Sequence, residues 1–283
     1  MNFATLFPDL KLALDAISES GPILAIKSSS FAMPLILCSH VLALAVLAGA
    51  ILMPGLRLMG IGMTSVSAST IEKTLRPWLI GALVILAISG TVMVLVNPMR
   101  ALFTPAFFTK VFAFVPALIL SLGVVRSIAS RDGVITDNAR IFAGIAAALW
   151  VATIWIFGTS YYAAPGPFHI VCVGWVIVMA FGSNRTRIVL GAISAVLILG
   201  LTIAAFSGVY NALNEYDLTM EIDRWSLRFI ALVVAFFLVW EFTRQRPDTP
   251  APIPNRLIGL LTILSWFTVA AAGRWIGLGG GGT

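Results

Sequence analysis

Charged residues are scarce in this 283-residue chain, since Asp, Glu, Lys and Arg together make up 11% of it. Soluble domains carry about 25%. Hydrophobic residues make up 59%, and the mean hydropathy is +1.00. The composition therefore predicts an integral membrane protein whose main partner is the lipid bilayer. It argues against a nucleic-acid partner, although the net charge is +6.

Cysteine and histidine are also rare, with two residues of each. Both cysteines lie in apolar runs, which gives no disulfide framework. The chain has no Cys-x-x-Cys-His, no Walker A run, no His-Glu-x-x-His and no Gly-x-Ser-x-Gly. The first absence excludes covalent haem attachment, and the others remove three common catalytic motifs. The sequence leaves enzymatic activity open but favours a binding or electron-transfer subunit over a stand-alone enzyme.

Long apolar runs are what the sequence has in abundance. A membrane-spanning helix needs about 20 apolar residues, and eight runs qualify, although the fifth is short. The predicted spans are 31–53, 78–97, 106–126, 141–162, 167–183, 187–209, 226–243 and 257–276. Residues 1–30 predict an amphipathic segment at the membrane interface, without the pattern of a cleavable signal peptide. Residues 277–283 predict a flexible Gly-rich tail.

The distribution of basic residues predicts the orientation. Eleven of the eighteen Lys and Arg residues fall in the loops between spans 1–2, 3–4, 5–6 and 7–8, whereas seven of the twelve acidic residues lie on the opposite side. The eleven are Arg57, Lys73, Arg76, Arg126, Arg131, Arg140, Arg185, Arg187, Arg244, Arg246 and Arg256. The positive-inside rule then places these loops in the cytoplasm and both termini on the periplasmic side of a bacterial inner membrane.

Matching features in the two halves of the chain indicate an internal repeat. Ser89-Gly90 and Lys110 have counterparts in Ser207-Gly208 and Arg228, both 118 residues further on. With four spans in each half, the halves would be parallel and related by an axis along the membrane normal. We expect an all-α integral membrane protein with eight transmembrane helices as two parallel four-helix repeats. The two halves are residues 31–163 and 164–276.

The run SHVLALAVLAGAILMPGLRLMGIG (residues 39–62) resembles a pattern in an uncharacterised family of small bacterial four-span membrane proteins. There, a His in span one precedes a small-residue stretch and an acidic-Leu-Arg-Leu-Leu-Gly turn, and Gly55 replaces the acidic residue here. Phe107–Lys110 and Gly273-Arg274 match a Phe-x-x-Lys before span three and a Gly-Arg ending the last span. The resemblance covers about half of the chain and implies a membrane fold but no activity. A looser likeness extends to four-helix membrane b-type cytochromes and to the copper-resistance D family.

Five basic side chains at membrane depth all fall in the outer half of the predicted topology. His40 is nine residues into span one, or about 14 Å at 1.5 Å per residue. His169, Lys110, Arg228 and Arg274 lie near the outer ends of spans five, three, seven and eight. Because an ionisable group at the centre of a span costs about 2.5–3.5 kcal/mol, each is a candidate functional residue. Each residue also has an explanation without a functional role. The three cations could extend to the lipid head groups, His169 could lie at the membrane interface, and His40 could be a neutral histidine with a hydrogen bond to its surroundings.

This set of residues predicts a haem b site. Neutral imidazole is a good axial ligand for haem iron, so His40 and His169 would hold one haem between two helices. The haem propionates would be bound by three cations, Lys110, Arg228 and Arg274. Close approach of the flat ring or of a neighbouring helix would be allowed by two small residues, Gly90 and Gly208. The expected function is to pass electrons, with a membrane or periplasmic redox partner.

Three other functions remain open. A copper site would use Cys38, His40, His169 and Cys172, although positions 38 and 40 point about 200° apart on one helix. The outer basic cluster could instead bind an anionic substrate or a quinone head group. The chain could also be an anchor or assembly subunit of a larger complex, as a homo- or hetero-oligomer. Only Glu241, near the inner end of span seven, is acidic within a span, which argues against a proton-coupled carrier.

Overall fold

The computed structural model describes residues 8–98, 104–157, 170–208, 216–244 and 251–276, and all regular structure within these ranges is helical. The elements in chain order are α1 (Pro8–Ser18), α2 (Gly21–Ser28), α3 (Ala32–Met59), α4 (Ala68–Val96), α5 (Pro105–Leu118), the π-helix π1 (Ile119–Val125), α6 (Arg126–Ala129), α7 (Asp137–Phe157), the π-helix π2 (Ile170–Gly174), α8 (Trp175–Phe181), α9 (Asn184–Phe206), α10 (Tyr216–Thr243) and α11 (Ile253–Ile276).

Within the described residues, seven helical stretches are long and apolar enough to cross a membrane, so the all-helical, multi-pass fold is confirmed. They lie in α3, α4, the continuous stretch Ala106–Ala129, α7, α9, α10 and α11. The predicted fifth span corresponds to the shorter apolar helix Val171–Phe181. Its predicted start lies outside the described residues, as does the Gly-rich tail. Eight spans therefore stay a prediction.

Three helix boundaries differ by six residues or more from the predicted spans: α4 and α10 each begin ten residues early, and α3 ends six residues late. α4 begins ten residues before the predicted start, because Ser67 caps it by accepting a hydrogen bond from the amide of Thr70 at 3.1 Å. The first turns of α4 are polar, so hydropathy alone missed them. α3 continues through Pro54 to Met59 and ends at Gly60, whose positive φ of 73° suits glycine.

The predicted N-terminal amphipathic segment forms two short helices, α1 and α2. α1 packs against α4, and α2 packs against α3 and α4. The ammonium group of Lys27 joins the two, donating to the backbone carbonyl of Ser18 at 2.8 Å and to its hydroxyl at 2.7 Å. This cation neutralises the negative C-terminal end of α1. The interfacial location of the segment stays a prediction.

α11 is the central helix of the described structure. In its most apolar stretch 67% of the residues are buried, against 6% in α9. α11 packs chiefly against α5 and α3, and less against α10. It contributes residues to all three apolar clusters of the interior, for example Ile258, Leu264 and Trp266. The last helix therefore completes the bundle of the first-half helices, while the repeat and its boundaries stay predictions.

Four loops meet at one end of the molecule, which we call the basic end. They are the loops between α3 and α4, α6 and α7, α8 and α9, and α10 and α11. The joining hydrogen bonds run from Ser69 N to Asp132 Oδ1 (3.2 Å), from Asn255 Nδ2 to Gly133 O (2.8 Å), from Arg256 Nη1 to Arg244 O (2.8 Å) and from Ser183 Oγ to Glu241 Oε1 (2.9 Å). The basic residues in the sequence predicted that these same loops lie on one side of the membrane. Which side they face stays a prediction.

Candidate functional site

His40 is held by a polar contact between α3 and α4. Its ring nitrogen Nδ1 lies 2.8 Å from the hydroxyl oxygen of Ser89. Ser89 is buried in an apolar span, and the His40 ring is half-buried. The two residues are 49 positions apart in the sequence, so this contact depends on the packing of the two helices. It lies at the end of the bundle opposite to the basic end.

The hydrogen bonds of Ser89 assign the tautomer of His40. The Ser89 hydroxyl donates its only proton to the backbone carbonyl of Ile85, at 2.6 Å. Its oxygen must then accept a hydrogen bond from His40, so Nδ1 carries the proton. Nε2 of a neutral ring is consequently left with a lone pair. A histidine whose Nδ1–H is fixed by a hydrogen bond and whose Nε2 carries a lone pair has the arrangement found in metal- and haem-ligating histidines.

One further predicted residue contacts this histidine, and a second acts on it through its charge. A Cβ atom at Gly90 would be 3.7 Å from His40 Cε1, so the absent side chain leaves space along the ring edge that leads to Nε2. The charge of Lys110, on α5, is near enough to act on His40 electrostatically. The structure therefore brings His40, Gly90 and Lys110 together from three helices.

α11 completes this group of residues. A Cβ atom at Gly273 would be 3.6 Å from Lys110 Nζ and 3.7 Å from its Cδ and Cε, so the lysine chain lies along the glycine. Lys110 is half-buried and forms no hydrogen bond or ion pair in the described part of the chain. Its ammonium group is thus available to an anionic group. Arg274, the next residue of α11, is exposed.

Two predicted residues of the second half, Arg228 and Gly208, are not joined to His40. Arg228 places its guanidinium carbon 5.1 Å from the centre of the Trp225 ring on its own helix, a cation–π contact. Gly208 follows the end of α9 with a φ of +86°, and no atom of the described residues lies within 4 Å of its Cβ position, so it serves the chain turn. His169 lies outside the described residues. Its role as second ligand stays a prediction.

The copper ligands proposed from the sequence do not gather in the described ranges. Cys38 and Cys172 are both exposed. Cys38 and His40 are two residues apart on α3, so their side chains point about 200° apart. Among the residues with described positions, no group of three or more His, Cys, Asp and Glu side chains is close enough to hold a metal ion. A single imidazole with neighbouring small and cationic groups suits haem better than it suits copper.

A second polar cluster at the basic end was missed in the sequence, apart from the position of Glu241. This carboxylate is 2% exposed and accepts hydrogen bonds from the hydroxyls of Ser183 and Thr186, at the start of α9. Arg256 of α11, which is 3% exposed, donates to the carbonyls of Glu241 and Arg244 at 2.8 Å each. The anion lies at a helix N-terminus and the cation at a helix C-terminus, where each is stabilising. This cluster joins α9, α10 and α11.

In the comparisons with known proteins, one region of the chain matches a protein family. The chain is similar to a family of unknown function, DUF6644, over residues 32–164, somewhat less than half of its length. This region contains the first four predicted spans and therefore His40, Ser89, Gly90 and Lys110. No curated protein and no solved structure matches the chain. The match agrees with a resemblance of the first half to an uncharacterised family, whereas the likeness to b-type cytochromes and to the copper-resistance D family stays a prediction.

Proposed function

We propose that this protein is a membrane-embedded haem-b-binding protein that passes electrons, with its cofactor site at the end of the bundle opposite to the basic end. The supporting observation is the fixed tautomer of His40, in which Ser89 holds Nδ1–H and leaves the Nε2 lone pair for a ligand. A bound haem b supplies reversible one-electron chemistry. The same proposal includes eight spans, a bacterial inner membrane and both termini on the periplasmic side.

Each residue of the site would have a distinct role. His40 would bind the iron through Nε2, and Ser89 would orient its ring and raise its basicity. Lys110 would neutralise a propionate, a role that its lack of an ion-pair partner in the described chain supports. Gly90 would leave room along the imidazole edge. His169 is proposed as the second axial ligand on sequence grounds alone.

The test is a reduced-minus-oxidised spectrum of the purified full chain. We expect an α band and a Soret shift, and we expect both to be lost in His40→Ala. Cys38→Ala is the matched control, because it removes an exposed side chain two residues away and should leave the spectrum unchanged. A copper content without iron, together with a loss of metal in Cys38→Ala, would favour the copper alternative. Bands that persist in His40→Ala would contradict the proposal.

A second variant addresses the role of Ser89. Ser89→Ala keeps the ligand but removes the acceptor for Nδ1–H, so we expect the haem to remain detectable with an affinity lower by about 10–100-fold. A shifted midpoint potential would accompany this loss, because the basicity of the ligand changes. An unchanged affinity and potential would show that Ser89 does not position His40.

A non-redox role for the same site is the second candidate function. The cationic Lys110 suits an anionic substrate or the carbonyl oxygen of a quinone head group. Purified protein that carries neither iron nor copper but is stabilised by an anionic ligand through Lys110 would favour this function. An anchor or assembly subunit is favoured by α9, whose apolar stretch is only 6% buried. Co-purification of a partner lost on α9 substitutions would support it.

A further inference from the structure

A crevice at the basic end lies between α3, α4, π1 and α11, well separated from His40. Its empty space is about 360 Å³ when the open solvent at its mouth is counted. An apolar cluster that contains Leu47, Ala82, Ala113 and Val269, on α3, α4, α5 and α11, lies beside it. Ala50, Ile51 and Leu79 of this cluster line the crevice. Polar side chains also line it, and the proposed haem site uses none of them.

Glu72 and Arg76 line this crevice from consecutive turns of α4. Four residues apart, with the acid nearer the helix N-terminus, they have the spacing and order that normally form an ion pair on a helix. Both are half-buried, yet neither forms a hydrogen bond or an ion pair in the described part of the chain. A carboxylate and a guanidinium therefore face the same space without neutralising each other.

Two hydroxyl groups add hydrogen-bond acceptors to the crevice. Ser121 donates its proton to the carbonyl of Ala117 at 2.8 Å and accepts from Trp266 Nε1 at 2.6 Å. Thr262 donates its proton to the carbonyl of Ile258 at 2.7 Å. Because both protons are directed to backbone carbonyls, the remaining oxygen lone pairs can only accept. The crevice thus offers one cation, one anion and neutral acceptors, which together match a ligand that carries both an ammonium and an anionic group.

The depth of the charged pair indicates where such a ligand would come from. Glu72 and Arg76 are four and eight residues after the start of α4 at Ala68, or about 6 and 12 Å along the helix axis. In a chain that spans a membrane, this is the level of the lipid head groups and the glycerol region. The remaining wall of the crevice is apolar, with Ile51 and Leu75. A lipid would present its polar head group to the charges and its glycerol and acyl carbons to this wall.

We propose that this crevice binds the zwitterionic phosphoethanolamine head group of a phospholipid. Arg76 binds the phosphate, for which the guanidinium fork is well suited. Glu72 accepts hydrogen bonds from the ammonium, and Ser121 and Thr262 offer further acceptors. The site is independent of the proposed haem, because it shares no residue with it.

The experiment compares lipids in thermal unfolding of the delipidated full chain in detergent. Phosphatidylethanolamine should raise the midpoint more than phosphatidylglycerol, which lacks the ammonium, and more than phosphatidylcholine, whose quaternary ammonium donates no hydrogen bond. Glu72→Gln should abolish this preference, and Arg76→Gln should reduce protection by all three lipids. Lys73→Gln, at an exposed position on the same helix, is the matched control and should behave as the unaltered chain.

Native mass spectrometry of the unaltered chain in mixed lipids provides a readout that does not depend on the folding of the variants. We expect phosphatidylethanolamine to be retained over phosphatidylglycerol. Equal retention, or a preference that survives in Glu72→Gln, would overturn the proposal. Protection by soluble phosphoethanolamine as strong as by the lipid would overturn the lipid as the source and assign the site to a soluble zwitterion.

Discussion

The packing of α11 against α3 gives a sharp stability prediction at Gly259. A Cβ atom there would be 2.6 Å from the backbone oxygen of Gly55 and 2.9 Å from Met59 Cγ, whereas ordinary contact begins at 3.4 Å. A backbone oxygen can move only with its helix, so Gly259→Ala must separate α3 and α11 by up to about 0.8 Å. Overpacking of this kind costs about 1–3 kcal/mol.

The matched control for this variant is Gly81→Ala in α4, where a Cβ atom would meet nothing within 4 Å. Both substitutions gain the same helix propensity, about 1 kcal/mol. The difference between their unfolding free energies therefore isolates the steric cost. We expect Gly259→Ala to be less stable than Gly81→Ala by about 1–3 kcal/mol, measured by far-UV circular dichroism during SDS titration of mixed micelles. Equal stability would refute the close contact of the two helices.

Two more predictions concern the basic end. Glu241→Ala should lower the unfolding free energy by about 1–3 kcal/mol, because the hydroxyls of Ser183 and Thr186 lose their acceptor. The same SDS titration measures this loss, and a neutral result would contradict the joining role of this cluster. Hydrogen bonds from Ser69, with the charges of nearby basic groups, hold the pKa of the Asp132 carboxyl below its usual range. The stabilisation by this carboxylate is complete above its unfolded-state pKa and is lost as the pH falls through the lowered folded-state pKa. Asp132→Asn lacks this carboxylate, so it should lose less stability on acidification than the unaltered chain. Parallel acid dependences of the two proteins would show that the Ser69 contact does not form.

The sequence was sufficient to predict the membrane-helical fold, because spans of about 20 apolar residues leave a strong hydropathy signal. The grouping of the loops also followed from the sequence, since basic residues concentrate in them. The start of α4 was missed because its first turns are polar and its cap at Ser67 is a local hydrogen bond. The central position of α11 could not be predicted, because it depends on the fit of Gly259 against Gly55.

At the candidate site, the sequence identified residue types but not their contacts. His40, Gly90 and Lys110 stood out as a histidine, a small residue and a cation at membrane depth, and the structure places them together. The hydrogen bond from His40 to Ser89 joins two helices and fixes a tautomer, and no sequence pattern encodes either fact. The Ser-Gly pair was instead interpreted as a surface for close approach. Arg228 and Gly208 were predicted from the repeat, and their contacts in the structure are local.

Rescue of a ligand-deleted variant tests the central claim about His40 most directly. His40→Gly should lose the haem spectrum and leave space beside Ser89 that an added imidazole can occupy. We predict that imidazole restores the α band in His40→Gly, because the free ring can donate one nitrogen to Ser89 and offer the other to the iron. The restoration should be weaker in the double variant His40→Gly/Ser89→Ala. A His40→Gly protein that keeps its full haem spectrum without imidazole would contradict the assignment of His40 as the ligand.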